Sequence, residues 1–468
     1  MRELDRRRSP KLGRSGDGRC QGVERTLSGW GRYPVASTCV VRPEKLSTLR
    51  DVAVGAPTAV LARGKGRSYG DASLNPGGHT ILTERLDRMR SFDDKTGLVV
   101  AEAGASLADV LATFVPRGWF PPVTPGTKFV SLGGMVAADV HGKNQHRVGT
   151  IGAHIGRLRL LTASGDMVHC SALEKSDLFW ATVGGMGLTG TIVDVEMRLR
   201  KIDTAYINYR VVRADNLEAV VELLDGLGSR YEHSVAWIDC LQAARRRGRG
   251  VVMLGDHTAS EQLPSALSQQ PLSTRQPARI KVPIQAPGFL LNALSMRAFN
   301  ELYFRLNRDT ETIIHYDRFF YPLDFVLDWN RLYGSRGFVQ YQCVVPVDGG
   351  VRTLAALLER CSGFGSGFLA VLKRFGEQDG WLSFPIAGYT LALDIPIRRG
   401  FEEFLQSLDE TVLASGGRVY LAKDARLPAA ALPKMYPRLS QWLEVKSKVD
   451  PTNRWSSALS RRLDLGAA

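Results

Sequence analysis

Two glycine-rich stretches hold most of the residues in this chain whose types and spacing could do chemistry. The first comprises Ala62, Arg63, Gly64, Lys65, Gly66, Arg67, Ser68, Tyr69, Gly70 and Asp71. The second begins at Pro125 and passes through Gly126, Ser131, Leu132, Gly133, Gly134, Ala138, Asp139 and Val140 to His141, Lys143 and Asn144. Each follows an apolar run and sets several glycines where backbone N–H groups can converge on an anion. Because the second ends in ionisable side chains, the pair indicates a phosphate-bearing cofactor beside a reactive centre.

Gly64, Gly66 and Gly70, with Glu84 downstream, imitate a dinucleotide fingerprint. That fingerprint needs a helix to open inside the glycine run, and here the chain continues from Asp71 to Gly78 in turn residues. What remains is a nest of loop amides. A third cluster, Val183 to Gly190, follows the helix-like Lys175–Thr182 and precedes the strand-like Thr191–Met197, which contains Ile192. Any one cluster reads as an ordinary turn; the set points to a ligand.

These stretches, together with Phe179 to Gly190, Phe338 to Gln342 and Tyr420 to Asp424, resemble the FAD-binding vanillyl-alcohol-oxidase superfamily. Within it they are similar to the decaprenylphosphoryl-β-D-ribose 2′-oxidase family, from about Gly29 to about Leu465. The resemblance implies an α+β, two-domain fold of the vanillyl-alcohol-oxidase type. A basic leader (1–24) would precede an FAD-binding domain (25–201). An antiparallel-sheet substrate domain (202–417) and a C-terminal return to the FAD domain (418–468) would follow, putting Lys423 at the domain junction and Tyr420 at the cofactor. Many superfamily members bond flavin covalently through a histidine; Arg67 stands at that place, which implies non-covalent FAD. Mycobacterial members carry asparagine at the place of Thr390 and cysteine at that of Ala392, and Phe320-Tyr321 departs from the family's Tyr-His order. These positions face the substrate in the family, so the sugar and lipid are where this chain can differ.

Oxidising a secondary alcohol requires a base for the hydroxyl proton, a positive field near the hydride acceptor and a dry cavity. The candidate catalytic residues are Lys423 and His141. For Lys423 to act as base, burial near other cations must lower its pKa; outside the family context it would be a solvated partner of Asp424. Gln340 and Gln342 alternate, so on a strand both face one side and can bind sugar hydroxyls or form an ordinary polar face. Lys373 and Lys143 are candidates for the substrate side, Lys373 for a substrate phosphate.

The elements that must position these groups are mixed α and β. Leu98–Glu102 reads as a strand, Ser106 as the cap of a helix to about Val115, and Leu158–Thr162 with Met167–Cys170 as a hairpin. Beyond Ile202 the texture becomes strand (Ala205–Val212), helix (Asn216–Leu227), strand (Ser234–Asp239). The same order recurs at Phe338–Val345, Val351–Cys361 and Phe368–Phe375, a sheet covered by helices on one face. Ser260 to Gly288, rich in Ser, Gln and Pro, reads as a mobile loop and candidate lid.

With 468 residues and 44% hydrophobic content, two cores are expected. Six scattered cysteines with no C-x-x-C or zinc spacing read as reduced thiols, hence a cytoplasmic protein with no metal. The basic N-terminus lacks the apolar run of a secretion signal, and no stretch has the apolar length to span a bilayer. The formal charge of +14 is spread along the chain without a nucleic-acid motif. Its concentrations at Arg245–Arg249 and at Arg275, Arg279 and Lys281 read either as solvated loops or as peripheral contact with anionic lipid at the inner membrane face.

The leading expectation is FAD-dependent oxidation of a polyprenyl-phosphate pentose to a 2-keto intermediate, which a separate NAD-dependent reductase would convert to the arabinose epimer. The alternatives are a soluble sugar-alcohol or aldonolactone oxidase, and a basic nucleic-acid or membrane-binding module. The last leaves the glycine clusters unexplained.

Overall fold

The computed structural model describes residues 22–274, 280–287, 292–365 and 369–466. The expected leader lies outside them except for its last residues, as do Arg275, Arg279 and Phe368. The chain adopts the expected α+β, two-part architecture.

The first half holds two sheets. One runs Val23–Ser28, Val35–Val41, His79–Leu82, Val60–Arg63, antiparallel in its first pair and parallel thereafter. The other is antiparallel and runs Met89–Asp93, Leu98–Glu102, Thr191–Arg198, Ile155–Leu161, Met167–Cys170. Helix Leu107–Phe114 starts where Ser106 Oγ accepts the Asp109 N–H and the Asp109 carboxylate accepts the Ser106 N–H, a reciprocal cap. Its Leu107, Val110, Leu111 and Phe114 recur at helical spacing and are buried together against Val99 and Ala101 of the neighbouring strand.

The second half is built on one eight-stranded antiparallel sheet, ordered Thr310–His315, Tyr206–Ala214, Gly250–His257, His233–Ile238, Ala370–Phe375, Gly388–Pro396, Phe338–Pro346, Arg418–Val419. Helices Leu217–Asp225, Gly350–Phe364 and Phe401–Ala414 cover one face, where Val220, Leu357 and Leu408 meet Ala236, Leu372 and Leu391 in one core. Directly paired residues of neighbouring strands share a face. Trp237 opposite Val371, Val371 opposite Ala392 and Ala392 opposite Gln342 therefore mark the other face, which carries the candidate site.

Strand Arg418–Val419 still belongs to this sheet, and the chain returns to the first half after it. Val60 donates to Arg454 O at 2.8 Å, the indole of Trp442 to Ala181 O at 2.8 Å, and the buried Lys446 ammonium to Leu188 O at 2.8 Å. The segment read as a mobile loop and candidate lid carries, among its described residues, short turns of helix at Ser260–Gln262 and Ser265–Ser268 and a strand, Ile280–Lys281, paired with Val326–Leu327. It is tied down where Ala205 donates to Pro271 O at 2.7 Å.

Two sequence readings need correction. Cys170, Cys240, Cys343 and Cys361 are free and buried, but Cys39 is disulfide-bonded, so the chain is not wholly reduced. Folding brings sulfurs together without regard to their spacing along the chain. Within the basic run, Arg249 is not a solvated charge: it is buried, at 2.9 Å from Asp239 and 2.7 Å from Glu301. A cation so placed needs carboxylate partners, and these come from other elements.

Candidate active site

The first glycine loop leaves strand Val60–Arg63 and crosses to the C-terminal segment. Among the described residues, the N–H groups of Gly64, Lys65, Gly66, Arg67 and Ser68 have no acceptor, and Gly66 sits in the left-handed region at φ +63°. At Gly70 a Cβ would lie 1.6 Å from Asp424 O, so only glycine lets this loop touch the residue after Lys423. The loop is held by its own side chains. Arg63 donates to Ser28 O at 2.7 Å and Ser73 O at 2.9 Å, and burial pushes it down to about 10. The Arg67 guanidinium lies 4.0 Å over Trp30 and donates to Phe129 O. Asp71 takes both arms of Arg462 at 2.8 Å, and Arg462 also reaches Asp424 at 2.7 Å. Ala62 lies within the strand beneath this loop, paired with Ile81.

The second stretch is organised around a short helix. Ser131 caps the helix Leu132–Ala137, its Oγ accepting from Gly134, while Leu132 donates to Ala105 O at 2.9 Å and Gly133 to Ala103 O at 2.8 Å. These two amides are engaged with carbonyls just beyond strand Leu98–Glu102. Gly126 and Gly134 are exposed, whereas Leu132 and Ile192 lie in the core. In the third cluster Gly184 donates to Val136 O and Met186 to Ala137 O, so its role is to brace that helix.

After the helix, Asp139 adopts φ 41° and accepts from Gly152 N–H and the Ser383 hydroxyl, while burial raises its carboxyl. This turn sets Val140 and His141 at the sheet face. Tyr420 donates its hydroxyl to Ala138 O at 2.7 Å. His141 packs 4.8 Å from Phe375 and 5.3 Å from Tyr420, and its Nε2 meets Gln342 Nε2 at 3.0 Å. Burial first, then Lys373 and Lys423, hold it well below the ordinary histidine range. It is therefore neutral, accepts at Nε2 and carries its proton on Nδ1, which has no partner among the described residues.

Three lysines surround it. Lys143 donates to Phe319 O and lies 4.2 Å over that ring; burial, then Lys373, pushes it down to about 7. Burial brings Lys373 down to about 8. Lys423 lies 3.8 Å over Tyr69, and burial with Lys373 lowers it to about 7 against the opposing pull of Asp394. Neither the Lys373 nor the Lys423 ammonium has an acceptor among the described residues. Both are enclosed by protein yet keep accessible surface, as side chains lining an internal cleft do.

Gln340 and Gln342 do share a face. Gln340 donates to Asp394 at 2.6 Å, and Gln342 to Thr390 Oγ1 at 3.2 Å. Thr390 stands opposite Lys373, and Ala392 opposite Gln342. Phe320 is a correction: it is 1% exposed, packed 4.8 Å from His233 and 5.4 Å from Phe120, because an aromatic ring with no polar atom gains most in the core. Lys143 lies nearer its neighbour Phe319, at 4.2 Å, than Phe320, at 5.8 Å.

Sequence reasoning missed Asp394. It is fully buried, accepts from Gln340 and from Tyr333 at 3.2 Å, and burial pushes it up to about 7. The signal was available: Asp394 alternates with Ala392 and Thr390 on one strand and so shares their face.

Residues 37–171 match the FAD binding domain family, and residues 346–463 the D-arabinono-1,4-lactone oxidase family. The decaprenylphosphoryl-β-D-ribose oxidase of Mycolicibacterium smegmatis is 38% identical over 447 residues, covering 94% of this chain and 97% of that protein. The chain belongs to the decaprenylphosphoryl-β-D-ribose oxidase family. Members of this family are FAD-dependent oxidoreductases, and so is this chain. An uncharacterized protein in the mprA 5′ region of Streptomyces coelicolor is 36% identical over 75% of this chain and 97% of its own length. The L-gulono-1,4-lactone dehydrogenase of Mycobacterium tuberculosis is 23% identical over 93% and 98%. The first glycine loop fits the cofactor: its free amides, left-handed at Gly66, form the nest a pyrophosphate needs.

Proposed function

We propose that this chain oxidises the 2′-hydroxyl of a polyprenyl-phosphate-linked ribose to the 2′-ketone, with residues 25–201 as FAD-binding domain, 202–417 as substrate domain and 418–468 returning to the first. The observation that carries this reading is the Lys423 ammonium, enclosed without an acceptor beside Lys373 and facing the neutral His141. A cleft with unpaired cations and fixed amides suits a phosphorylated sugar.

Near neutral pH a sizeable fraction of Lys423 is unprotonated, so its Nζ can take the hydroxyl proton. FAD, when bound, supplies the two-electron acceptor for the hydride that leaves the same carbon. Gln342 offers its amide oxygen to a sugar hydroxyl, Thr390, whose hydroxyl is spent on Cys343 O, holds that amide in place, and Lys143 and Lys373 hold the phosphate. His141, fixed by Gln342, orients rather than abstracts, because its Nε2 lone pair is already engaged. Gly64 to Ser68 hold the pyrophosphate of the cofactor. The product ketone needs a hydride donor to become the epimeric alcohol, which calls for an NAD-dependent reductase partner.

The match of residues 346–463 to the lactone oxidase family favours a second reading, oxidation of a free aldonolactone. The two separate in one experiment. Polyprenylphosphoryl ribose should bleach the flavin band anaerobically while free pentoses, alditols and aldonolactones do not; bleaching by the free sugars selects the second reading.

A further inference from the structure

Among the described residues thirteen large apolar side chains are exposed, and seven of them lie within residues 280–325. Helix Ala293–Leu306 carries the core of this cluster. Its inner side is well anchored: Met296 and Asn300 are buried, Asn300 donates to Asp239 at 2.7 Å, and Tyr303 packs 4.7 Å from Trp237. Its outer side shows Leu294, Leu302 and Leu306 at 79%, 56% and 71% exposure, spaced by eight and then four residues. The single acid of the helix, Glu301, is turned to Arg249 and Arg305, while Arg297 and Arg305 remain exposed beside the leucines.

A second exposed apolar piece lies in the segment that precedes the helix. Ile280 and Phe325 meet at the short parallel pair, where Ile280 donates to Phe325 O, and they are 60% and 43% exposed; Ile284 follows at 72%. A groove of about 520 Å³ is lined by Ala286 and Pro287 of this segment, by Ala293 at the start of the helix, and by Tyr333, Arg336 and Arg398. Tyr333 donates its hydroxyl to Asp394, so the groove backs onto the candidate active site.

We propose that this face docks on an anionic lipid bilayer, with Leu294, Leu302, Leu306 and Ile284 entering the interface and Lys281, Arg297, Arg305 and Arg308 meeting headgroup phosphates. Exposed apolar area of this extent is unfavourable in water and favourable at a lipid interface, and a basic amphipathic helix is the form that binds there. Charge selects the bilayer over a second copy: two chains of formal charge +14 would bring like guanidinium groups face to face across a symmetric contact. The groove then opens at the membrane surface, where a polyprenyl-phosphate substrate resides; this last use rests on the proposed function, and the docking itself does not.

The test is flotation of the FAD-loaded full chain with vesicles of phosphatidylglycerol mixed with phosphatidylcholine. Two paired variants, Leu302→Glu with Leu306→Glu and Arg297→Glu with Arg308→Glu, should each lower the vesicle-bound fraction at least about tenfold. Both should keep FAD, circular dichroism and flavin bleaching by a short-chain soluble substrate. A full chain that does not float, or leucine variants that float as well as the parent, overturns the proposal. So does a dimer of the parent that the leucine variant abolishes in sedimentation velocity, which assigns the face to a second copy. Vesicle binding without any bleaching by the lipid-linked sugar leaves the docking standing and removes the oxidase reading.

Discussion

Gln342 and His141 meet at 3.0 Å although 201 positions separate them, and the contact fixes what the imidazole can do. The Gln342 amide also donates to Thr390, whose hydroxyl donates onward to Cys343 O at 2.9 Å. That chain of donors leaves the amide nitrogen, not the oxygen, facing the ring. His141 is consequently a neutral acceptor at Nε2, and the base is to be sought among the lysines.

Replacing Lys423 separates these roles. Lys423→Met should retain FAD and lose about two to four orders of magnitude in the rate of flavin reduction, the scale of a missing general base. His141→Gln should lose less and keep the pH profile of the parent. A stopped-flow trace with normal bleaching in FAD-loaded Lys423→Met would return Lys423 to a structural role.

The pH profile carries a second expectation. The reactive form of Lys423 is the unprotonated one, so flavin reduction should rise with pH through a limb near 7. The Asp394 carboxylate stabilises the Lys423 ammonium and raises its pKa; Asp394→Asn removes that charge, and the limb should move to lower pH. A limb that stays in place shows that Asp394 is not felt at the reacting group.

What could be read from residue order was whatever is local or periodic. The cap at Ser106 and the shared face of Gln340 and Gln342 need only neighbours in sequence, and the glycine loops announce themselves by composition. Asp394 was legible by the same alternation, since it follows Thr390 and Ala392 on one strand. The Arg462 clamp on Asp71 joins residues 391 positions apart, and Arg249 finds Glu301 52 positions away; no pattern in either segment names its partner. The amides of Gly133 and Gly184 mark the limit of that signal. A glycine run shows that N–H groups are close together but not that they are free, and here other carbonyls already take them.

Ala392 offers a chemical check on the alignment with mycobacterial relatives. It faces Gln342 and Val371 on the site face and offers no thiol, so electrophiles generated by reduced flavin should inhibit the parent reversibly. Ala392→Cys should instead form a covalent adduct, seen as an intact-mass increase after turnover. An adduct on the parent would place a different nucleophile at the flavin.

The enclosed lysines also predict how the FAD-free protein responds to pH. Lys373 has a folded pKa near 8, against about 10.4 for an unperturbed lysine, so the unfolded chain binds more protons between those values. Stability should therefore rise with pH across that window, and the burial penalty should be complete below pH 8. Asp394, raised to about 7, acts oppositely: the folded state holds its proton longer, so its contribution falls as pH rises from about 4 to 7. Near neutrality both penalties are present, and Lys373→Met should relieve the lysine's share. The variant should melt higher than the parent at pH 7, by up to about 3 kcal/mol in unfolding free energy, with the difference closing above about pH 10. Thermal unfolding of both proteins across pH 6 to 10, stripped of FAD, measures it. A difference that is constant over that range would mean that Lys373 is fully solvated, and that the cleft is not the enclosed cationic site from which the chemistry above is argued.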